Sequence, residues 1–220
     1  MVTLKWLGHA AWLVSFSKTR VLIDPFLTNN PKAAMKESDV KDVNYIMVTH
    51  NHMDHLGDAF AISKRTGAKI VGMFELSAMR TEHGLSEDHF IGMNKGNMTK
   101  FGDISMGLTA AVHSGNECGV LVSGNGKTIY HAGDTALFGD MKLIGELYKP
   151  DVALLPIGGF FTMSPKEAAV AAKMIGAKYT IPMHFGTFPP IEQDPEHFKS
   201  LVEGNTTVKV LKPGDEFTIP

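Results

Sequence analysis

Only one cysteine, Cys118, occurs in 220 residues. That excludes an internal disulfide, a Cys-rich zinc knuckle and an iron–sulfur frame. With no base beside it in sequence, Cys118 reads as a small buried or turn residue rather than a reactive thiol. Excess positive charge is missing as well: 21 Lys and Arg stand against 23 Asp and Glu, a net charge of −2. No basic run interrupts that balance, so a nucleic-acid partner is not expected. Long apolar runs are absent, which predicts no spanning helix and no membrane partner. The apolar start, Leu7 and Ala10 to Phe16, is broken by Gly8-His9 and preceded by a single Lys5. It therefore reads as two strands rather than a secretory leader. Repeats, linkers and low-complexity tracts are lacking too. What remains is one cytoplasmic domain spanning residues 1–220, with self-association left open. A chain of this length buries roughly 70–75% of its unfolded surface and needs no staples.

The pattern of elements is mixed. Val2–Trp6, Ala11–Phe16, Arg20–Asp24 and Tyr45–Thr49 read as strands, the last an apolar run suited to burial on both faces. Helices are expected over Asp58–Arg65, closed by Gly67, and over Glu75–His83, closed by Gly84, with a strand at Ala68–Gly72 between them. From Phe90 to Tyr130 the chain is punctuated by Gly and Asn, and Asn125-Gly126 marks a hairpin. Asp151–Ile157 is a further buried strand. Ser164-Pro165-Lys166-Glu167 is a capping box opening a helix with Ala168, Ala172 and Ile175 on its apolar face, ended by Gly176. Tyr179–Pro182 resumes the sheet, Asp194-Pro195-Glu196 caps a last helix, and Val208–Ile219 supplies terminal strands. Strands first, then strands and helices mixed, predict an α/β or α+β fold in which helices cover sheets. The thirteen methionines read as core filling.

Ten histidines carry most of the functional information. Thr49-His50-Asn51-His52-Met53-Asp54-His55-Leu56-Gly57 follows a buried strand directly. Imidazole and carboxylate are the ligands of a borderline divalent ion: zinc first, with manganese or iron also accepted. A turn at the strand end can aim His50 and His52 at one point, and Asp54 and His55 at a second. Placing so many polar side chains beside an apolar strand needs compensation, which metal binding supplies. His113, Asp134 and His184 each follow a predicted strand and precede small or turn residues, as ligands converging on one cleft would.

His50-x-His52-x-Asp54-His55, followed by His113, Asp134 and His184, resembles the signature of the metallo-β-lactamase-fold hydrolases. More narrowly it resembles their small branch of metal-dependent hydrolases related to ascorbate-6-phosphate lactonases. Leu7-Gly8-His9-Ala10, Leu22–Phe26, Tyr130–Thr135, Pro156–Gly159 with Thr162-Met163, and Pro182–Phe188 extend the likeness over nearly the whole chain. The resemblance implies a four-layer αββα sandwich with two divalent ions at one edge. It implies that His50, His52 and His113 hold one ion, that Asp54, His55 and His184 hold the other, and that Asp134 bridges them. It also places Asp24 behind a ligand histidine, orienting it. The chain is shorter than the lactonases between His113 and Gly119, so substrate residues there do not carry over.

The chemistry so implied is hydrolysis of an ester, lactone or phosphodiester bond of a small molecule by a hydroxide shared between the ions. Asp54 is expected to shuttle the proton. Without metal, Asp54 and Asp134 are expected to face each other, so that one takes up a proton more readily than a free aspartate. Substrate contacts are expected from His9, from the Gly159 amide in Gly158-Gly159, and from Thr162. His131 is expected to point away from the site, and His83, His89 and His197 to lie outside it. Two alternatives stand beside this reading. A nuclease of the same fold would need a basic insert, which the 50 residues from Asp134 to His184 lack. A non-catalytic metal-binding module would need a saturated ligand set and no cleft.

Overall fold

The computed structural model describes residues 1–204 and 206–220. It contains two seven-stranded mixed sheets. The first runs in the order β14 (Glu216–Ile219), β1 (Val2–Gly8), β2 (Ala11–Ser15), β3 (Arg20–Ile23), β4 (Tyr45–Met47), β5 (Lys69–Met73), β6 (Phe90–Met93). The second runs β13 (Thr207–Val208), β12 (Tyr179–Met183), β11 (Val152–Pro156), β10 (Lys127–His131), β9 (Gly119–Gly124), β8 (Ile104–Thr109), β7 (Met98–Phe101). Each sheet is antiparallel at one side and parallel at the other.

Alternation along the strands builds the layers. Val120, Val122, Ile129, Leu154 and Ile181 point between the sheets, where they meet Leu4, Trp12, Val14, Val21 and Ile23. Their neighbours Leu121, Tyr130, Ala153 and Leu155 point outward, into a second core with α3 (Met141–Tyr148), α4 (Pro165–Ile175) and α5 (Pro195–Leu201). On the other side the single turn α1 (Met53–Leu56) and α2 (Ala59–Thr66) lie against the first sheet. This is the αββα arrangement. The expected capping box is present: the Ser164 hydroxyl accepts from the Glu167 amide, and the Glu167 carboxylate accepts from the Ser164 amide.

Three local expectations change. Residues 75–83 are not an α-helix but a 3₁₀ segment, Phe74–Arg80, followed by turns. Only Leu76 of that segment is buried, and so short a piece without a packed face does not hold an α-helix. The helix α3 is not among the elements expected from sequence, and Gly145 sits in its middle. A side chain at Gly145 would run into the Ile175 carbonyl, so the glycine serves the close approach of α3 and α4. Finally, the terminal strands split: β13 joins the second sheet and β14 crosses back to pair with β1 in the first.

Candidate metal centre

β1 and β3 run parallel to each other, β3, β4 and β5 pair in parallel, and β8, β10, β11 and β12 share one direction in the second sheet. Open parallel sheets present side chains where their strands end. At this edge His9 follows β1, Asp24 follows β3, and the segment from His50 to His55 follows β4. His113 follows β8, Asp134 follows β10 and His184 follows β12. Backbone bonds tie the two sets of exits together. Cys118 N–H donates to Thr49 O at 2.9 Å, Asn51 N–H to Gly115 O at 3.1 Å, and His184 N–H to His9 O at 3.1 Å.

The donor atoms gather into overlapping groups, each within 4.8 Å: His50, His52 and His113; His9, Asp54, His55 and His184; and His50, His55 and Asp134. Asp134 lies between the other two. Its Oδ1 is 3.1 Å from His55 Nε2, and its Oδ2 is 3.2 Å from His184 Nε2 and 3.6 Å from His113 Nε2. All seven residues from the sequence signature are therefore brought to one place.

Asp24 lies behind this layer, fully buried. Its Oδ2 accepts from His55 Nδ1 at 2.7 Å and from the Thr49 hydroxyl at 2.7 Å, and its Oδ1 accepts from Thr49 N–H. The same Thr49 oxygen meets His50 Nδ1 at 3.0 Å. Asp24 thus fixes two imidazoles, one directly and one through Thr49, and turns the Nε2 atoms of both toward the cluster.

His9 belongs to the site more closely than a turn histidine would. Its Nε2 is 3.1 Å from Asp54 Oδ2, its Nδ1 is 2.9 Å from the Thr187 hydroxyl, and its ring lies 3.9 Å from that of His184. Nothing in the sequence places that ring, because its position depends on the first sheet meeting the loop after β12. His131, by contrast, points away from the cluster and is spent on the fold. Its Nε2 donates to Ala10 O and its Nδ1 accepts from Gly133 N–H. The 158–163 loop corrects a further expectation. The Gly159 amide donates to Met163 O, and its carbonyl accepts from Thr162 N–H at 3.0 Å. The Thr162 hydroxyl faces the Met163 carbonyl. Because the loop closes on itself, the Gly159 amide is not free to receive an anionic substrate.

Charge in the cluster is strongly coupled. Burial, then the charge of His184, lowers His9 to about 4. Burial, then His55, lowers His50 to about 3, and burial lowers His113. Burial works against the charged form of His55 too, but Asp134 and Asp24 outweigh it and raise that group well above its ordinary value. Burial also works to raise Asp54 and Asp134. For Asp54 the hydrogen bond from His9 and the charges of His55, His9 and His184 prevail; for Asp134 those of His184 and His55 do. Both carboxyls lie below their usual range. The expectation that one of them holds a proton in the metal-free chain is thus reversed, because histidines, not the other carboxylate, surround each.

Several buried polar atoms here have no hydrogen-bond partner: His55 Nε2, Asp134 Oδ1, and both ring nitrogens of His184. The 3.1 Å approach of His55 Nε2 to Asp134 Oδ1 lacks hydrogen-bond alignment. Orphaned donors and acceptors at this depth are costly unless something else binds them. A set of imidazoles and carboxylates with unspent Nε2 and Oδ atoms fits divalent cations.

The backbone is bent sharply where two of these side chains leave it. His9 and His184 both take φ of 55°, the left-handed region that costs an L-residue about 1–2 kcal/mol. At each position a glycine variant should therefore be more stable than the alanine variant by about 1 kcal/mol. Paired denaturant melts of the metal-free proteins measure the difference, and equal midpoints would show that the backbone carries no strain there.

The family profile described as a Beta-lactamase superfamily domain matches residues 19–185. A UPF0173 metal-dependent hydrolase of Thermococcus kodakarensis is 50% identical over 227 residues, covering 100% of both chains. One of Pyrococcus furiosus is 49% identical over 228 residues, again covering 100% of both. Among solved structures, Igni18, described as a novel metallo hydrolase from Ignicoccus hospitalis, superposes with a TM-score of 0.91 at 39% identity. That match covers 100% of this chain and 99% of the other.

Proposed function

Since the chain belongs to the beta-lactamase superfamily, among its UPF0173 metal-dependent hydrolases, we propose that it hydrolyses an ester, lactone or phosphodiester bond of a small molecule at a two-ion centre. The observation that carries this reading is the position of Asp134 between two groups of donors. His50, His52 and His113 would hold one ion, and Asp54, His55 and His184 the other, with Asp134 shared. Zinc suits the donor set best, and manganese or iron(II) is also compatible. When bound, such ions supply Lewis acidity and lower the pKa of water toward neutrality.

The chain's own residues then divide the work. Asp24 and Thr49 fix the ring orientations of His55 and His50. Asp54 is the cluster's one partly open carboxylate, with a third of its side chain accessible. It is ionised at neutral pH, so Oδ2 takes the proton that leaves the attacking water. His9, pinned by Thr187, holds that oxygen in place. Membership in a hydrolase family sets aside the non-catalytic module. The lack of a basic cluster between Asp134 and His184 supports a small molecule over a nucleic acid.

The test is metal content. Protein stripped and reloaded with zinc or manganese should retain about two ions per chain after desalting, by elemental analysis. A stoichiometry near zero would sink the reading, and one ion per chain would reduce it to a mononuclear site.

A further inference from the structure

Beside Asp54 the surface opens into a cavity of about 600 Å³, within the size range of small-molecule sites. Phe26, Met53, Leu56 and Phe188 form its apolar wall, with Asp54 and Asp58 as its charged groups and no lysine or arginine. Asp58 is committed to the fold: its Oδ2 accepts from the amides of Leu27 and Thr28, which hold the wall that Phe26 begins. The aromatic rings are keyed to the cluster. Phe26 and Phe188 both meet the His9 ring edge-on, at 5.7 and 5.8 Å. The rim continues the theme. Met53, on the turn that carries His52 and Asp54, is more than half exposed where the cavity meets solvent.

We propose that this cavity receives an uncharged, apolar substituent of the substrate, an alkyl chain or aryl ring, next to the bond that is cut. This rests on the hydrolase reading above. A sugar-phosphate ester or lactone brings an anionic group besides the bond that is cut and needs a cation for it, where this wall offers carboxylates; a nucleoside brings polar groups that an apolar wall leaves unpaired. An alkyl or aryl group gains from every methylene it buries, by about fourfold in kcat/KM for each. For a carboxylic ester the balance is simple. The acyl C–O bond breaks, the oxygen of water forms the new C–O bond, and the leaving alcohol takes one proton of that water while the other is released with the carboxylate.

The test uses the metal-loaded full chain and two bond classes. One arm is the p-nitrophenyl esters of acetate, butyrate, hexanoate and octanoate. The other compares p-nitrophenyl phenylphosphonate with thymidine 5′-p-nitrophenyl phosphate. In whichever class turns over, kcat/KM should rise with apolar size, at least tenfold from acetate to hexanoate or from the nucleotide to the phenyl compound. Met53→Lys, at an exposed position, should flatten that ratio by severalfold. Octanamide, which keeps the chain but resists cleavage, should bind the metal-free protein saturably in calorimetry, and Met53→Lys should weaken it. Turnover with a flat or inverted ratio, or with the nucleotide preferred, overturns the apolar pocket while leaving the hydrolase intact. No turnover of any substrate by protein carrying two ions would instead overturn the hydrolase reading beneath it.

Discussion

Asp134→Asn should leave the chain folded, cost it at least one of two bound ions, and lower hydrolysis by more than about a hundredfold. Residues that merely orient ligands already cost 10–100-fold in affinity or activity, and Asp134 stands one layer closer. It is the one carboxylate that faces both donor groups, with His55 and His184 at 3.1 and 3.2 Å and His113 at 3.6 Å. Asparagine keeps the shape but removes the charge that would offset two bound dications. Asp54→Asn is the informative comparison, because Asp54 groups with His9, His55 and His184 and not with His50, His52 and His113. It should lower turnover while retaining more metal than the Asp134 variant. Elemental analysis and a hydrolysis assay on the same preparations decide the matter. An Asp134→Asn protein with wild-type metal content and turnover would remove Asp134 from the site.

Chelation should abolish activity without unfolding the protein at ambient temperature. Small zinc domains unfold when stripped because the ion supplies most of their folding free energy. Here the inter-sheet core spans both sheets, and main-chain bonds such as Cys118 to Thr49 and His184 to His9 already join the site's two sides. Metal should therefore raise the melting temperature by linkage rather than create the fold. The stripped protein should also lose stability as pH falls from about 6.5 toward 4. His9 and His50 have folded values of about 4 and 3, below the ordinary 6.5, so in that window the unfolded chain binds more protons. Asp24, Asp54 and Asp134, all lowered, extend the loss further into acid. His55 acts in the opposite sense: its contribution is fully present below 6.5 and disappears as pH rises through its raised value. Below 6.5 the His55 contribution is constant, so the lowered histidines set the direction in that window. Circular dichroism melts with chelator at pH 7 and pH 5 read it out. A stripped chain unfolded at room temperature would make the ions structural, and a higher melting point at pH 5 would reverse the charge assignment.

How far the sequence discloses this site differs from residue to residue. The string from His50 to His55 declares itself, because so many ligand types in six positions have little other use beside a buried strand. His113, Asp134 and His184 are visible only as strand-end residues, and their convergence depends on two sheets meeting at one edge. His9 is the least visible, since its ring reaches Asp54 only after β1 and the loop beyond β12 have docked. That helices cover sheets is readable from the order of elements, whereas the four αββα layers are implied only by the family resemblance. The helix α3 is not readable, because a glycine that permits close packing reads locally as a breaker. Phe74–Arg80 failed in the opposite direction: of its helix-forming residues only Leu76 is fully buried, too little to hold an α-helix. The amide of Gly159 looked available in sequence and proves engaged, as only the closed loop reveals.

Among the described residues, nine other than glycine take positive φ, and five of these are Asn or Asp, which enter that region readily. The remaining four are Lys149, which caps α3, and His9, His184 and Phe160. Proteins sit just above a stability threshold, and at such positions a change to glycine is among the stabilising substitutions still available. His9 and His184, whose rings lie 3.9 Å apart, keep imidazoles there and forgo that gain at two adjoining points of one site. Backbone conformation thus serves as a record of selection that can be read from one molecule, without any relative to compare.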